Sequence, residues 1–126
     1  MYTVSVEREF TAKHYLIGGD FGDENDLHSH EYKVQVRLTG DNLDNHGFLV
    51  NIDDINRQLD NTIETYREQT LNDLPPFKDV NPSVEHFARI FCHAFLDGMD
   101  ASGIESISVR IWEYEDTWVE YSRHIT

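Results

Sequence analysis

The stretch His28-Ser29-His30-Glu31-Tyr32-Lys33-Val34-Gln35-Val36-Arg37-Leu38 decides how this chain folds. His28, His30, Tyr32, Val34, Val36 and Leu38 fall on one face, the period of two that marks a half-buried β-strand. Gly40-Asp41-Asn42 ends the run. Upstream, Tyr2, Val4, Val6, Phe10, Ala12 and His14 share one parity with Arg8 as the only interruption, which reads as a first strand. The intervening residues 16–27, LIGGDFGDENDL, are rich in Gly, Asp and Asn and read as a loop.

Downstream the period changes. Ile52, Ile55, Leu59, Ile63 and Tyr66 recur every three to four residues, an amphipathic helix with Asp53 and Asp54 in its first turn. Residues 67–80 form a loop with Pro75-Pro76. Asn81-Pro82 reads as the cap and first position of a second helix, whose buried stripe is Val84, Phe87, Ala88, Phe91 and Phe95 and whose end is marked by Gly98. Ile107, Val109, Ile111 and Glu113 then share a strand face, and after a turn at residues 114–116 so do Thr117, Val119, Tyr121 and Ile125. The order is β-β-α-α-β-β. It predicts an α+β fold, a four-stranded antiparallel sheet with two helices on one face, as a single domain over residues 1–126 without repeats.

Composition narrows the function. With 24 Asp and Glu against 10 Lys and Arg, the formal charge is −14, and no basic cluster exists to hold phosphodiester backbone. No apolar run approaches the ~18 residues of a membrane span, and the N-terminus lacks a signal-peptide pattern. The single cysteine, Cys92, cannot form an internal disulfide, and it lies on an apolar helix face, where core packing is the natural role. The expectation is a cytoplasmic protein that binds neither nucleic acid nor membrane.

Chemistry concentrates on the strand histidines. His28 and His30 point the same way, and His14 ends the buried parity of the first strand. If these strands pair, three imidazoles converge. Three histidines with an open fourth position form a catalytic zinc pattern, whereas structural zinc sites favour thiolates and are closed. Paired core histidines donating to carbonyls are the plainer alternative. Glu113 ends an otherwise apolar face; it is either a strand-end residue reaching solvent or a carboxylate held for two parallel N–H donors of a flat heterocycle. Glu85 in the first turn of the second helix is accounted for by the helix dipole. His46, His86, His93 and His124 read as surface or packing residues, and the acidic run 20–26 as a solvated loop that brings Glu24 four residues before His28.

Taken together, Phe10-Thr-Ala12-Lys-His14, Leu27-His28-Ser-His30-Glu-Tyr32, Gly47-Phe-Leu-Val50, Asn81-Pro82-Ser83-Val84-Glu85 and Val109-Arg-Ile-Trp-Glu113, with Tyr121 eight residues on, resemble the successive blocks of the 6-pyruvoyl-tetrahydropterin synthase / 6-carboxytetrahydropterin synthase family. The resemblance covers nearly the whole chain in the right order. It implies the tunnelling fold (T-fold), in which subunits join their sheets into a barrel, so that the protein is a homo-oligomer, a trimer or a hexamer of stacked trimers, with sites between subunits. It also implies Zn2+ on His14, His28 and His30, Glu113 as anchor of a pterin ring, and Ser83, Val84 and Glu85 as lining of the pterin pocket. The implied substrate is 7,8-dihydroneopterin triphosphate.

The departures from the family pattern bear on the reaction. Glu24 stands where the catalytic cysteine is usual, and Arg67 and Glu68 stand where an Asp-His pair precedes Leu71-Asn72-Asp73. Asn51 replaces an Asp, and Ser29 a Gly. Members with Glu for Cys are associated with cleavage of the side chain to 6-hydroxymethyl-7,8-dihydropterin, a product on the route to folate. A thiol of pKa ~8.5 suits proton abstraction from carbon better than a carboxyl of ~4.3. A retro-aldol cleavage needs only a hydroxyl deprotonated, and zinc makes that easier. The reading therefore assigns Glu24 the base, Glu113 the ring and Glu68 a second acid–base role. The alternatives are a 6-carboxytetrahydropterin lyase of the queuosine pathway, a 6-pyruvoyl-tetrahydropterin synthase, or a non-catalytic pterin-binding zinc protein. A triphosphate must also approach a chain of charge −14. Zinc, Lys13 and Arg67 are the local cations expected to offset that field, with Arg67 as a phosphate anchor.

Overall fold

The computed structural model describes residues 1–125. Its elements are β1 (Tyr2–His14), β2 (His28–Gly40), α1 (Ile52–Glu64), α2 (Val84–Asp97), β3 (Ser106–Tyr114) and β4 (Thr117–His124). All three strand pairings are antiparallel, and the sheet order is β1-β2-β3-β4. This is the expected order, with α1 lying over β1 and α2 over β3 and β4.

The parity seen in the sequence is the parity of burial. Phe10, Ala12, Tyr32, Val34, Val36, Leu38, Ile107, Val109 and Ile111 turn to the helices and are fully buried. They meet Ile55, Leu59 and Ile63 of α1 and Phe87, Ala88, Phe91 and Phe95 of α2 in a hydrophobic core. Phe87 sits at its aromatic centre, with ring centroids 5.2 Å from Tyr32, 5.2 Å from Tyr66 and 5.8 Å from Phe77. Burying each such side chain contributes roughly 1.5–3 kcal/mol before ordering costs. Cys92 is buried and free as expected, and burial pushes its thiol up to about 11.

The break at Arg8 has a physical explanation. Arg8 faces α1, where its guanidinium donates to Asp60 at 2.9 Å and to Asn56 at 2.7 Å, so polar partners on the helix replace apolar ones. Two local expectations need correction. Ile52, assigned to the buried stripe of α1, is the first residue of that helix and is 56% exposed. Asn81 is not the cap of α2; Ser83 is, its hydroxyl accepting from the His86 N–H at 3.2 Å. Residues 16–27 and 67–80 are loops as expected, with short 3-10 turns at Gly22–Asn25, Leu71–Asp73 and Pro75–Phe77.

At Gly40 the end of β2 passes so close to the loop before β3 that a Cβ would stand 2.9 Å from the Gly103 carbonyl oxygen. Between β3 and β4 the register shifts by one between Trp112 and Tyr114, leaving Glu113 at the irregularity. The face of the sheet away from the helices carries Trp112 and Trp118, with the Arg110 guanidinium 3.7 Å from the Trp118 ring centroid.

Candidate metal centre

In the β1–β2 ladder His14 pairs with His28 and Ala12 with His30. Same-parity residues share a face, so the three imidazoles meet at the helix side of one end of the sheet. Ring centroids are 4.6 Å apart for His14–His28, 5.1 Å for His14–His30 and 4.7 Å for His28–His30, all close to edge-on.

Backbone carbonyls orient two of the three rings. His14 Nδ1 donates to the Pro82 carbonyl at 3.0 Å, and His28 Nδ1 donates to the Asp26 carbonyl at 2.7 Å. A carbonyl only accepts, so each Nδ1 carries the proton and each Nε2 offers a lone pair. The Nε2 atoms of His14, His28 and His30 are all buried and lack an aligned hydrogen bond. Carboxylates nevertheless flank them: Glu24 Oε2 lies 2.9 Å from His28 Nε2, and Glu113 Oε1 lies 2.9 Å from His30 Nε2 and 4.0 Å from His14 Nε2. An anionic oxygen against an imidazole lone pair is repulsive unless a cation or proton lies between them.

The donor set fits a metal ion. One ligand atom from each of His14, Glu24, His28 and His30 lies within 4.8 Å of the others. Three imidazoles and a carboxylate suit zinc among the common divalent ions. Burial, and then the neighbouring His28, hold His14 down at about 4 and lower His30 as well. Both rings are therefore neutral near pH 7, the ligating form. Glu113 is pushed the other way, upward, by burial and by the negative charge of Glu24.

Glu24 reaches the cluster because its loop is tied. Its carbonyl accepts from Leu16 N–H at 2.8 Å, and the Asn25 side chain bonds the backbone of Leu16, Gly19 and Phe21. The run 20–26 is thus more than a solvated acidic loop. Ser83 and Glu85 open α2 beside the Pro82 carbonyl, and Val84 is buried under the core. Glu85 is exposed, yet its charge also raises Glu113, so it faces the same region.

Arg67 and Glu68 stand outside this cluster. Arg67 is exposed and bonded to Glu64 at 2.9 Å. Glu68, in the left-handed region at φ 60°, donates its N–H to the Thr11 carbonyl at 2.7 Å, and Gln69 accepts from Lys13 N–H at 2.8 Å. This segment therefore runs along the outer edge of β1, just before His14.

Several supporting groups escaped sequence reasoning. Tyr32 is buried with its hydroxyl 3.3 Å from His14 Nδ1, and burial raises its phenol well above the usual range. Its parity with His30 was the available signal. Asn72 brackets the backbone of Tyr15 from both sides, at 3.0 and 2.9 Å. The carbonyls of Pro82 and Asp26 carry no sequence signal, since any residue supplies one. A surface cleft of about 500 Å³ borders Glu113, lined by Tyr32, Lys33, Trp112 and Tyr114 among others.

Comparison with known proteins supplies the relationship. A search of curated protein sequences finds no significant match. Among solved structures, the Caenorhabditis elegans 6-pyruvoyl tetrahydropterin synthase is similar at 22% identity and a TM-score of 0.81, over 98% of this chain and 97% of that one. The Plasmodium falciparum enzyme of the same name matches at 15% identity and a TM-score of 0.82, over 98% of each chain. A Plasmodium vivax counterpart, in which a catalytic glutamate is replaced by alanine, matches at 14% identity and 0.82, again over 98% of each chain. These structures share the fold. The model of the family described as 6-pyruvoyl tetrahydropterin synthase matches residues 3–124, and the chain belongs to that family.

Proposed function

We propose that this protein is a zinc-dependent pterin lyase that cleaves the side chain of 7,8-dihydroneopterin triphosphate to 6-hydroxymethyl-7,8-dihydropterin. The observation that carries the reading is the carboxylate of Glu24 beside His28 Nε2, in the ligand set of the three histidines. A catalytic glutamate in the Plasmodium vivax relative supports it.

His14, His28 and His30 would hold the zinc, with Glu24 close enough to join them or to act beside them. Zinc held there would supply a Lewis acid able to lower the pKa of a substrate hydroxyl. Glu24 takes the proton from the hydroxyl on the second side-chain carbon. The bond between the first and second carbons breaks, the second carbon becomes an aldehyde, and its electron pair passes to the first carbon and the ring. A proton returned to the first carbon completes a redox-neutral reaction, and Glu24 or Glu68 is the donor. Glu113 binds the flat ring through parallel N–H donors, a charge-assisted contact. Ser83, Val84 and Glu85 line the ring's pocket, and Arg67 steadies the triphosphate against the chain's −14 charge.

The protein acts as a homo-oligomer, a trimer or hexamer, and as a single domain per chain. The sheet supports this, because β1 and β4 are edge strands and the helix-free face exposes Trp118 to 46%. Among the described residues no helix is long and apolar enough to cross a membrane.

Incubating zinc-loaded protein with 7,8-dihydroneopterin triphosphate and identifying the pterin tests the reading. Hydroxymethyl product supports it, a carboxy or pyruvoyl product moves the protein to the other lyases, and tight binding without turnover makes it a binding protein.

A further inference from the structure

The His14 imidazole is set by the Pro82 carbonyl, and the peptide that leads into Pro82 is itself held from the far side. His86, on the first turn of α2, donates from Nδ1 to the Asn81 carbonyl at 2.7 Å, and Ser83 N–H donates to the same oxygen at 2.8 Å. The Asn81 side-chain oxygen accepts from Ile17 N–H at 2.9 Å, just beyond the end of β1. His86 N–H completes the Ser83 cap, so one residue ties both the helix start and the peptide before it. Asn81-Pro82-Ser83 is thereby a fixed bracket between α2 and His14. Proline adds to the rigidity, since its φ is locked and it has no N–H to compete. The residue read from sequence as surface or packing has a defined place: part-buried, ring turned to a backbone carbonyl, two peptides away from the ring it steadies.

We propose that His86 is a positioning residue for the metal centre, acting through the Asn81–Pro82 peptides to fix the tautomer and angle of His14. The proposal rests on the metal-centre reading above. Partners behind a ligating histidine typically govern metal affinity by ~10–100-fold, and the longer chain of contacts here places His86 near the lower figure.

Three proteins are compared: wild type, His86→Phe, which keeps an aromatic ring but loses the donor, and His86→Asn, whose amide nitrogen sits where Nδ1 was. Zinc affinity is read by competition with a chromophoric chelator, and the melting temperature is read without metal. The expected result is a zinc affinity about 10-fold weaker for His86→Phe, recovered to within about threefold by His86→Asn. The metal-free melting temperatures of the two variants should agree. If wild type binds zinc and His86→Phe binds it equally well, the positioning role is refuted while the metal centre stands. Equal losses in both variants, or losses that follow the metal-free melting temperature, reduce His86 to a structural residue and also refute the proposal. A wild type that binds no zinc overturns the metal-centre reading, and this proposal with it.

Discussion

Acid should destabilise the metal-free protein through His14 in particular. In the folded state its ring is 2% exposed and burial, reinforced by His28, holds it at about 4, whereas an unfolded histidine titrates at about 6.5. Between these values the unfolded chain binds a proton that the folded chain refuses. Stability is therefore intact above pH 6.5 and falls as the pH drops through the window down to about 4. Linkage across the interval from pH 7.5 to pH 5 gives a loss on the order of 2 kcal/mol from this one residue. Urea unfolding in the presence of a chelator, followed by fluorescence of Trp112 and Trp118, measures it. The informative quantity is the difference between wild type and His14→Gln at each pH, because carboxylates common to both largely cancel. The stability difference should shift against wild type by about 2 kcal/mol on going from pH 7.5 to pH 5. A difference that stays constant over that range would refute the claim that His14 is held neutral by its surroundings.

Other outcomes follow from the same geometry. Glu24→Ala should lower turnover by at least ~10²-fold, the usual contribution of a general base, checked by steady-state pterin assay; unchanged turnover removes Glu24 from the chemistry. Glu113→Ala should raise KM for the pterin by roughly 10–100-fold, since hydrogen bonds to a charged group contribute ~1.5–3 kcal/mol, and equilibrium binding of the unphosphorylated pterin isolates that effect. Phe87→Ala, at the centre of five aromatic neighbours, should cost about 3–5 kcal/mol in urea unfolding. Arg67→Ala should weaken binding of the triphosphate but not of the unphosphorylated pterin, and equal affinities for the triphosphate would free Arg67 from that role.

The sheet was legible because burial on one face imposes a period of two, and β2 carries it without a break from His28 to Leu38. The same rule put the three histidines on one side before any pairing was known. Register then brought His14 opposite His28. Arg8 broke the pattern because its partners, Asp60 and Asn56, are some 50 residues away, beyond the reach of local periodicity. The start of α2 was misplaced because Asn81 and Ser83 are both good caps. Ser83 caps the helix with its hydroxyl on the His86 N–H, because the Asn81 side-chain oxygen is already engaged by the Ile17 N–H. Glu113 keeps the face its parity assigns and reaches His30, while the one-residue shift in pairing beside it depends on β4 as well as β3 and is encoded in no single strand. Outer supports such as the Asp26 and Pro82 carbonyls are backbone groups and left no mark in residue identity.

The proposed function depends on the three imidazoles acting as one metal site. Zinc content after dialysis of the purified protein against a zinc buffer, compared between wild type and a His28→Ala, His30→Ala double variant that still unfolds cooperatively, measures this most directly. One zinc per chain in wild type and none in the variant is the predicted result. Equal zinc in both, or none in either, would contradict it.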